Sequence, residues 1–280
     1  MEKLLIVDGS NLLFQMFYGM PSRIVNKDGK AIQGTLGFVG ALLKIIRLTS
    51  PTHAVVLFDG ECHNERKDID ADYKANRPDY SKVPEEETPF SQLPDIYAAL
   101  KYLGIRHTET SVCETDDWIA GYVFQYGEKM QIVISSFDSD FFQLINKNVH
   151  VLRYRGEKST ILTEKEVFER FGVTPLKYAD FKALTGDTAD NIKGADKVGP
   201  KTAAWLINEF SDLDSLLLNA DKITKPSVRT SIQENGARLL KNRRLIKLDG
   251  CAELPFTLDE LLYTYQGERT AEVLSAIGLR

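Results

Sequence analysis

The sequence has few of the residues that build disulfide frameworks or zinc sites. Its three cysteines are Cys62, Cys113 and Cys251. They are odd in number, far apart and not in a CxxC spacing. The four histidines are scattered along the chain, which favours structural or exposed positions over metal ligation; they are His53, His63, His107 and His150. We therefore expect a protein of a reducing compartment, without a disulfide framework or a zinc site.

Long hydrophobic runs are missing as well. The opening segment, MEKLLIVDGSN, has only a short apolar run that ends in Asp8, so it fits neither a signal peptide nor a membrane span. The chain of 280 residues is 43% hydrophobic and 27% charged, which argues against wholesale disorder. We expect a cytoplasmic protein that forms one large domain, or one domain with an appendage.

The sequence also lacks an excess of positive charge, since its net charge is −5. A protein that binds nucleic acid over its whole surface is usually basic, so this sign argues mildly against such a protein. The argument weakens if the acids belong to one metal site and the basic residues to a separate surface.

Short apolar runs alternate with helical segments over the first half of the chain. The runs Leu4–Val7, Ala54–Phe58, Ile132–Ser135 and Val149–Tyr154 predict buried strands. Helical spacing is seen between them, for example in Phe38–Leu48 and Phe90–Leu103. This alternation predicts an α/β fold with a mostly parallel sheet that helices cover on both faces.

From about Leu162 the pattern is typical of helices only. The predicted helices are Glu164–Phe171, Leu176–Leu184, Lys201–Phe210 and a basic helix near Arg238–Leu248. We therefore predict an α/β body followed by a helical part.

Carboxylates follow the predicted strands. Asp8 ends the first strand, Asp59 ends the second, and Asp138 and Asp140 follow the third. Because ligands of an open α/β sheet bind beyond the carboxyl ends of its strands, these acids should meet at one edge. Two further groups stand where helices are expected to begin; they are Glu114, Asp116 and Asp117, and Asp187 and Asp190.

Each acid taken singly can be a helix cap or an exposed loop residue, and Asp116 stands where a carboxylate caps a helix. Five groups in one cleft would instead repel one another strongly unless cations neutralised them. Oxygen ligands without nearby His or Cys favour Mg²⁺ or Mn²⁺. Two such ions about 4 Å apart suit phosphodiester hydrolysis. The lack of a Ser/His or Cys/His pair argues against covalent catalysis.

One polar stretch, His63–Glu87, carries both signs of charge and contains YKANRP. Its composition alone favours a solvated surface loop.

These motifs together resemble the 5′-3′ exonuclease and flap endonuclease family, especially the nuclease domain of bacterial DNA polymerase I and its free-standing bacterial relatives. The resemblance runs from about Leu4 to Leu248. ETDDWIA is similar to the family's E-A-D-D motif, and FDSDFFQLI to its G-D-K-D motif. The other matching segments are LLIVDGSNLLF, VVLFDG, YKANRP and LTGDTADNIKGADKVGPKTA.

The resemblance implies a PIN-like sheet, a first metal and a second metal. Ligands of the first would be Asp8, Asp59 and Asp116, with Glu114 acting partly through water. Asp116 would bridge the two ions.

Ligands of the second metal would be Asp138, Asp140 and Asp187. Asp117 and Asp190 are implied to lie outside the direct ligands. All nine acids of the family's metal site are present, which favours an active nuclease over a degenerate binder.

The resemblance reinterprets the polar stretch as a helical arch over the active site, at about residues 63–90, through which or beside which the 5′ single strand passes. Arg66, Lys74 and Arg77 match its basic positions, where cations grip phosphates, and Lys74 and Arg77 are implied in catalysis. Tyr73 either stacks on a base or packs under the arch.

GADKVGPKTA is implied to belong to a helix–turn–helix-type module, at about 184–210, that holds duplex DNA without reading its sequence. Pro200 suits a first helical position, and free N–H groups at a helix start bind phosphate; a plain helix start is the alternative. The implied DNA contacts are Lys193, Lys197, Gly199, Lys201 and Thr202. The carbonyls implied for K⁺ are those of Leu184, Thr185, Lys193, Ala195 and Val198. The basic segment Arg238–Lys247 is either a solvated helix face or an outlying contact to the duplex.

Four positions depart from the family pattern without removing a metal ligand. Phe137 stands where the family often has Gly or Ala, and Ser139 where it often has Lys. Lys193 and Ala195 replace a common Pro and Val.

We therefore expect a catalytic domain at 1–160, a helical DNA-binding domain at 161–280 and a monomer that contacts no membrane. The expected substrates are DNA with 5′ flaps, nicks or free 5′ ends and RNA–DNA hybrid primers, in replication and repair. Because the chain ends soon after the nuclease region, no polymerase is expected. The rivals are a PIN-like ribonuclease, which would not need GADKVGPKTA, a non-catalytic DNA junction binder, and a metabolic phosphatase.

Overall fold

A six-stranded sheet forms the centre of the protein. The computed structural model describes residues 2–60, 65–111, 113–251 and 253–279. Cys62 and His63, and with them the first residues of the expected arch, lie outside the described residues.

The strands are β1 (Lys3–Asp8), β2 (His53–Phe58), β3 (Arg106–Glu109), β4 (Gln131–Ser135), β5 (Val149–Arg153) and β6 (Thr160–Leu162). Their order in the sheet is β3-β2-β1-β4-β5-β6. The first five are parallel, and only the edge strand β6 runs antiparallel to its neighbour β5. The four predicted strands are confirmed. β3 and β6 escaped prediction because one is polar and half-exposed and the other has only three residues.

Helices flank the sheet and form most of the second half. They are α1 (Gly9–Gly19), α2 (Gln33–Thr49), α3 (Glu65–Ile69), α4 (Leu93–Tyr102), α5 (Thr115–Tyr126), α6 (Glu164–Phe171), α7 (Tyr178–Thr185), α8 (Pro200–Phe210), α9 (Leu213–Leu218), α10 (Pro226–Ile246) and α11 (Thr270–Ala276). Two 2-residue strands, β7 (Gly186–Asp187) and β8 (Ile192–Lys193), form a small antiparallel hairpin between α7 and α8. The predicted basic helix is confirmed as the second half of α10.

The two faces of the sheet bury separate hydrophobic cores. On β1, Leu5 and Val7 point to the core shared with α2 and α4, whereas Leu4 and Ile6 point to the core shared with α5. This alternation follows from the two-residue period of a strand. The second core continues without a break into the helical part, where it includes Leu239 of α10. The helical part is therefore packed onto the sheet and does not bury a core of its own.

After α10 the chain returns to the body. The Tyr122 hydroxyl of α5 donates to the Phe256 carbonyl oxygen at 3.0 Å, and the Tyr263 amide donates to the Thr52 carbonyl oxygen at 2.9 Å. α11 then packs against α2 and α4. The division of domains at 160/161 stays a prediction. Among the described helices, none is both long and apolar enough to cross a membrane.

The residues that follow α10, 247–251, are called the return segment. They approach α5 so closely that position 121 of this helix requires glycine. A Cβ atom added to Gly121 would lie 2.4 Å from the Cys251 carbonyl oxygen, and this segment is also fixed by a bond from the Cys251 amide to the Asp117 carbonyl oxygen at 2.8 Å. In α10, a Cβ atom at Gly236 would meet only Leu217, at 3.4 Å.

We therefore predict opposite effects for two glycine-to-alanine changes in helices. Gly236→Ala should raise the free energy of unfolding by up to about 1 kcal/mol, because alanine favours the helix. Gly121→Ala should lower it by about 1–3 kcal/mol, because the added methyl group collides with fixed backbone. Urea unfolding of both variants measures this difference, and a stabilised Gly121→Ala protein would contradict the close packing of the return segment.

Candidate metal centre

The first carboxylates of the site are held by hydrogen bonds at the carboxyl ends of the strands. Asp8 caps α1, since its Oδ1 accepts from the Asn11 amide at 2.9 Å, and its Oδ2 accepts from the Ser136 hydroxyl at 2.8 Å. The Asp59 amide donates to Ser10 Oγ at 2.8 Å, while the Asp59 side chain is exposed. The sheet therefore delivers both acids to one edge, as predicted.

The turn after β4 folds back on itself and presents two more carboxylates. The Asp138 amide donates to Ser136 Oγ at 3.0 Å, and the Asp140 amide donates to Asp138 Oδ1 at 2.8 Å. Asp140 is buried and begins a short 3-10 helix, Asp140–Leu144. Ser136 thus orients Asp8 and Asp138 together.

The electrostatics show that acids from four elements face one another. Burial, with repulsion from Asp59 and Asp138, raises the pKa of Asp8 to about 7. Burial also raises the pKa of Asp116, at the start of α5, well above its usual range, with repulsion from Asp138, Asp59 and Asp8. These four acids form the first carboxylate group.

A second carboxylate group lies beside the first. Ligand oxygen atoms of Asp140, Asp187 and Asp190 all lie within 4.8 Å of one another. Burial raises the pKa of Asp140 to about 7, and burial also raises the pKa of Asp190. Asp187 belongs to β7 and Asp190 to the turn of the same hairpin, so the helical part completes a site that the sheet begins.

A lysine that the sequence analysis did not identify lies inside this second group. The Lys182 ammonium bonds to Asp140 and lies 2.5 Å from Asp187 Oδ2, and the residue is 4% exposed. Burial alone would lower the pKa of Lys182, but the surrounding carboxylates raise it. Burial likewise would raise the pKa of Asp187, but Lys182 holds it below its usual value. The signal for Lys182 was its place within α7, whose other residues from Tyr178 to Leu184 are mostly apolar and buried.

Arg66 binds the two acids that flank Asp116. Its Nη1 lies 3.0 Å from Glu114 Oε2, and its two Nη atoms lie 2.8 and 2.9 Å from the Asp117 oxygens. Its Nε donates to the Leu245 carbonyl oxygen at 2.9 Å. The guanidinium group of Arg66 therefore has protein partners at all three of its nitrogen atoms.

The other two predicted arch cations, Lys74 and Arg77, contact Glu114 and the second carboxylate group respectively. Lys74 Nζ lies 3.2 Å from Glu114 Oε2, and Arg77 Nη2 lies 3.2 Å from Asp190 Oδ1. The Arg77 side chain is 52% exposed, so its charge also faces solvent. Tyr73 is 3% exposed, and Lys74 Nζ lies 4.8 Å from its ring centroid. Packing beneath the arch, one of the two alternatives for Tyr73, describes its position here.

The described part of the arch segment is only partly helical. It contains α3 and three short 3-10 helices, Tyr80–Lys82, Glu85–Glu87 and Pro89–Gln92. Prolines at 78, 84 and 89 interrupt regular helix because each lacks an N–H donor. Three hydrogen bonds tie this segment to the β7–β8 hairpin; they join the Lys74 amide to Asp190 O, Asn76 Nδ2 to Thr188 O, and Asn191 Nδ2 to Asp72 O.

The predicted duplex-binding module is the hairpin followed by α8. α8 begins at Pro200 with Gly199 as its N-terminal cap residue, and Lys193, Lys197 and Lys201 are exposed. Thr202 lies in the first turn and is half-buried.

Of the carbonyls predicted for K⁺, three accept internal hydrogen bonds. The Leu184 oxygen accepts from the Ala195 amide at 2.8 Å, the Lys193 oxygen from Asn242 at 2.9 Å, and the Ala195 oxygen from the Val198 amide at 3.2 Å. A carbonyl has two lone pairs, so K⁺ binding by this loop, including the Thr185 and Val198 oxygens, stays a prediction.

Two family models together match nearly all of the chain. Residues 3–172 match the 5′-3′ exonuclease N-terminal resolvase-like domain, and residues 173–269 match the 5′-3′ exonuclease C-terminal SAM fold. The 5′-3′ exonuclease of Bacillus subtilis is 34% identical over 278 residues, which are 98% of this chain and 92% of the relative. The Aquifex aeolicus 5′-3′ exonuclease is 33% identical over 250 residues, 89% of this chain and 82% of the relative.

Similarity also extends to part of a larger enzyme and to solved structures. DNA polymerase I of Rhizobium leguminosarum is 36% identical over 269 residues, but the match spans only 26% of that protein and 93% of this chain. A zinc-bound T5 5′-exonuclease superimposes with a TM-score of 0.74 at 21% identity, covering 99% of this chain and all of that one. The catalytic core of Rad2 with DNA substrate gives 0.61 at 14% identity, covering 99% and 93%.

The two solved structures are too distant in sequence to establish more than the fold. The family models and the bacterial relatives carry the assignment, because they match the chain over almost its whole length. This chain belongs to the 5′-3′ exonuclease family.

Proposed function

We propose that this protein hydrolyses phosphodiester bonds in DNA that has a 5′ flap, a nick or a free 5′ end, with two bound divalent metal ions. The observation that carries the proposal is the pair of adjoining carboxylate groups, one around Asp8 and Asp116 and one of Asp140, Asp187 and Asp190. The names of the bacterial relatives, 5′-3′ exonuclease, support the reaction class.

The residues present fit hard divalent cations. The candidate ligands are carboxylate oxygens, which suit Mg²⁺ or Mn²⁺ better than softer metals. Burial raises the pKa of Asp8, Asp116 and Asp140, so each carboxylate lacks sufficient compensation for its charge from the protein alone. Two ions at such a site supply an activated water and stabilise charge on the scissile phosphate.

The acids of the two carboxylate groups would each hold one of the two metal ions. Asp8, Asp59, Asp116 and Asp138 would hold the first ion, and the second carboxylate group would hold the other. Lys182 stands within the second group, and its contacts would have to rearrange as that ion enters, because both cations need the same oxygens.

The arch cations would bind the DNA strand that is cut. The Lys74 side chain is only 10% exposed and lies beside Glu114, while the exposed Arg77 faces the solvent from which a phosphate would approach. Lys193, Lys197 and Lys201, with the N-terminus of α8 at Gly199 and Thr202, would hold the duplex through its phosphates. The Rad2 core, to which this fold is similar, was solved with a DNA substrate.

This activity suits the removal of primers, including RNA–DNA hybrid primers, during replication, and it suits DNA repair. The protein would act as a monomer in the cytoplasm. A K⁺ ion in the loop before α8 would strengthen its hold on the duplex. A non-catalytic junction binder and a ribonuclease are the outcomes against which the proposal is tested.

Asp138→Ala tests the metal centre directly. We expect flap-DNA cleavage with Mg²⁺ to fall roughly 100-fold or more, because the change removes an oxygen ligand at the junction of the two carboxylate groups. Glu128→Ala is the matched control. Glu128 is an exposed acid in the turn before β4, at the end of the sheet where this strand begins and away from the metal centre.

Cleavage products, DNA affinity in EDTA and cleavage of single-stranded RNA are measured on the same proteins. The proposal expects a 5′-phosphate and a 3′-hydroxyl product, with native-like DNA binding by Asp138→Ala. Equal cleavage by the native protein and Asp138→Ala would refute the two-metal site. DNA binding without cleavage by the native protein would favour the junction binder, and cleavage of RNA alone would favour the ribonuclease.

The raised acid pKa values predict how stability depends on pH and on metal. Asp8 and Asp140 have a pKa of about 7 in the folded protein, against the ordinary aspartate value of 3.8 in the unfolded chain, so the folded protein binds more protons between these two values. Without metal, the free energy of unfolding therefore falls as the pH rises above 3.8. Between pH 6 and pH 8 the decrease is about 1.4 kcal/mol for each of the two groups. Mg²⁺ should restore more stability at pH 8, where the ligands are ionised.

Urea unfolding in EDTA and in Mg²⁺ at both pH values measures this effect, and Asp8→Asn should reduce the pH dependence. Stability in EDTA that is higher at pH 8 than at pH 6 would contradict the buried carboxylate arrangement.

A further inference from the structure

Three arginines lie beside the candidate metal centre, where the row of acids along the sheet edge ends. Arg153 is the last residue of β5, Arg155 follows two residues later, and Arg170 lies on α6. Arg153 Nη2 donates to the Phe137 carbonyl oxygen at 2.9 Å, and Phe137 directly precedes the candidate metal ligand Asp138. We name Arg153, Arg155 and Arg170 the arginine cluster.

Aromatic rings, and not carboxylates, support the cluster. Arg153 Cζ lies 4.8 Å from the ring centroid of Phe142 and 5.8 Å from that of Phe137, and Arg155 Cζ lies 4.9 Å from the Phe137 centroid. Such cation–π contacts orient a guanidinium group without cancelling its charge. Phe137 is one of the departures from the family pattern, and its ring contacts both Arg153 and Arg155.

Arg170 completes the same arrangement from α6. Its Cζ lies 5.3 Å from the Phe171 centroid, and the Phe171 and Phe142 rings are in contact at 5.8 Å. A continuous aromatic layer therefore connects Arg170 with Arg153. Burial and the positive charges of Arg170 and Arg155 lower the pKa of Arg153, while Tyr178 and Asp138 oppose this shift, so Arg153 lies within electrostatic reach of both other arginines.

In the described part of the chain the cluster has no salt-bridge partner, although the charge of Asp138 acts on Arg153 at longer range. Among the described residues, no carboxylate forms an ion pair with any of the three arginines, whereas Arg66 and Arg243 are each bound by two acids. Arg153 Nε is buried and, within the described part of the chain, has no hydrogen-bond partner. A bound anion would accept a hydrogen bond from the buried Arg153 Nε and would compensate the charge of the surrounding arginines.

We propose that the arginine cluster binds a phosphate group of the DNA substrate, adjacent to the metal centre. Guanidinium groups suit this ligand because their planar fork donates two parallel hydrogen bonds to phosphate oxygens. The inference rests on the proposed function, since it takes DNA as the ligand. The phosphate is either an internal phosphodiester or a terminal 5′-phosphate, two sources of the same chemistry.

The test removes the two exposed charges of the cluster and compares them with two charges elsewhere. Arg155→Gln/Arg170→Gln leaves Arg153 and the aromatic layer in place. Lys129→Gln/Lys147→Gln is the matched control, because both lysines are exposed in the turns before β4 and β5, at the opposite edge of the sheet. The Kd for flap DNA is measured in EDTA over a series of salt concentrations, so that cleavage does not contribute.

For the cluster variant we expect the Kd to rise about tenfold at low salt, and the slope of log K against log salt to decrease in magnitude by about 1. The control variant should keep the native salt slope to within a few tenths. Thermal unfolding of both variants establishes that they are folded, and the Mg²⁺ cleavage assay is run on the same preparations.

Two DNAs that differ only in a 5′-phosphate or a 5′-hydroxyl distinguish the sources. Equal losses on both assign an internal phosphodiester, and a loss confined to the 5′-phosphate DNA assigns the terminal group; either result supports the cluster. Native affinity and salt slope in the cluster variant, or the same loss in the control variant, would overturn it while leaving the proposed nuclease intact. Failure of the native protein to bind or cleave DNA would overturn both proposals.

Discussion

Mutual repulsion among carboxylates at one edge of the sheet is the constraint on which the rest of this structure depends. Asp8, Asp116 and Asp140 are all desolvated, and each is close to further acids. Such a group destabilises the fold as long as its charges stay uncompensated, and either protonation or bound cations relieve it. The acids gather where the parallel strands end, because β1, β2 and β4, which precede Asp59 and Asp138 and contain Asp8, are otherwise mostly apolar and buried.

The cations of the protein are distributed in response to that constraint. Lys182 lies among the acids of the second group, Arg66 binds the acids on either side of Asp116, and Lys74 and Arg77 reach the site from the arch segment. The net charge of −5 therefore says little about whether DNA can bind, because many acids are already turned inward against cations. Lys197, Lys201 and the arginine cluster have no salt bridge to a described carboxylate, whereas Lys193 pairs with Asp196 at 3.3 Å.

Much of the architecture could be predicted from the sequence because it follows from local pattern. The strands that carry Asp8, Asp59 and Asp138 are short apolar runs bounded by polar residues, and topology alone brings their ends together. Lys182 could not be predicted in the same way. Its role depends on a contact with Asp140, 42 residues away, and a lysine on a short helix is usually an exposed residue. The return of the chain to α5 escaped prediction for a similar reason, since Gly121 shows no sign in sequence of the carbonyl that approaches it.

The acids of the site are spread from Asp8 at the start of β1 to Asp190 in the small hairpin, and a shared hydrophobic core ties those regions together. A polypeptide that is still being synthesised, or that has been cleaved before residue 190, lacks one side of the centre. The two carboxylate groups can therefore meet only after about two thirds of the 280 residues have been joined and folded. The order in which the chain supplies its parts thus sets the point at which the centre can form.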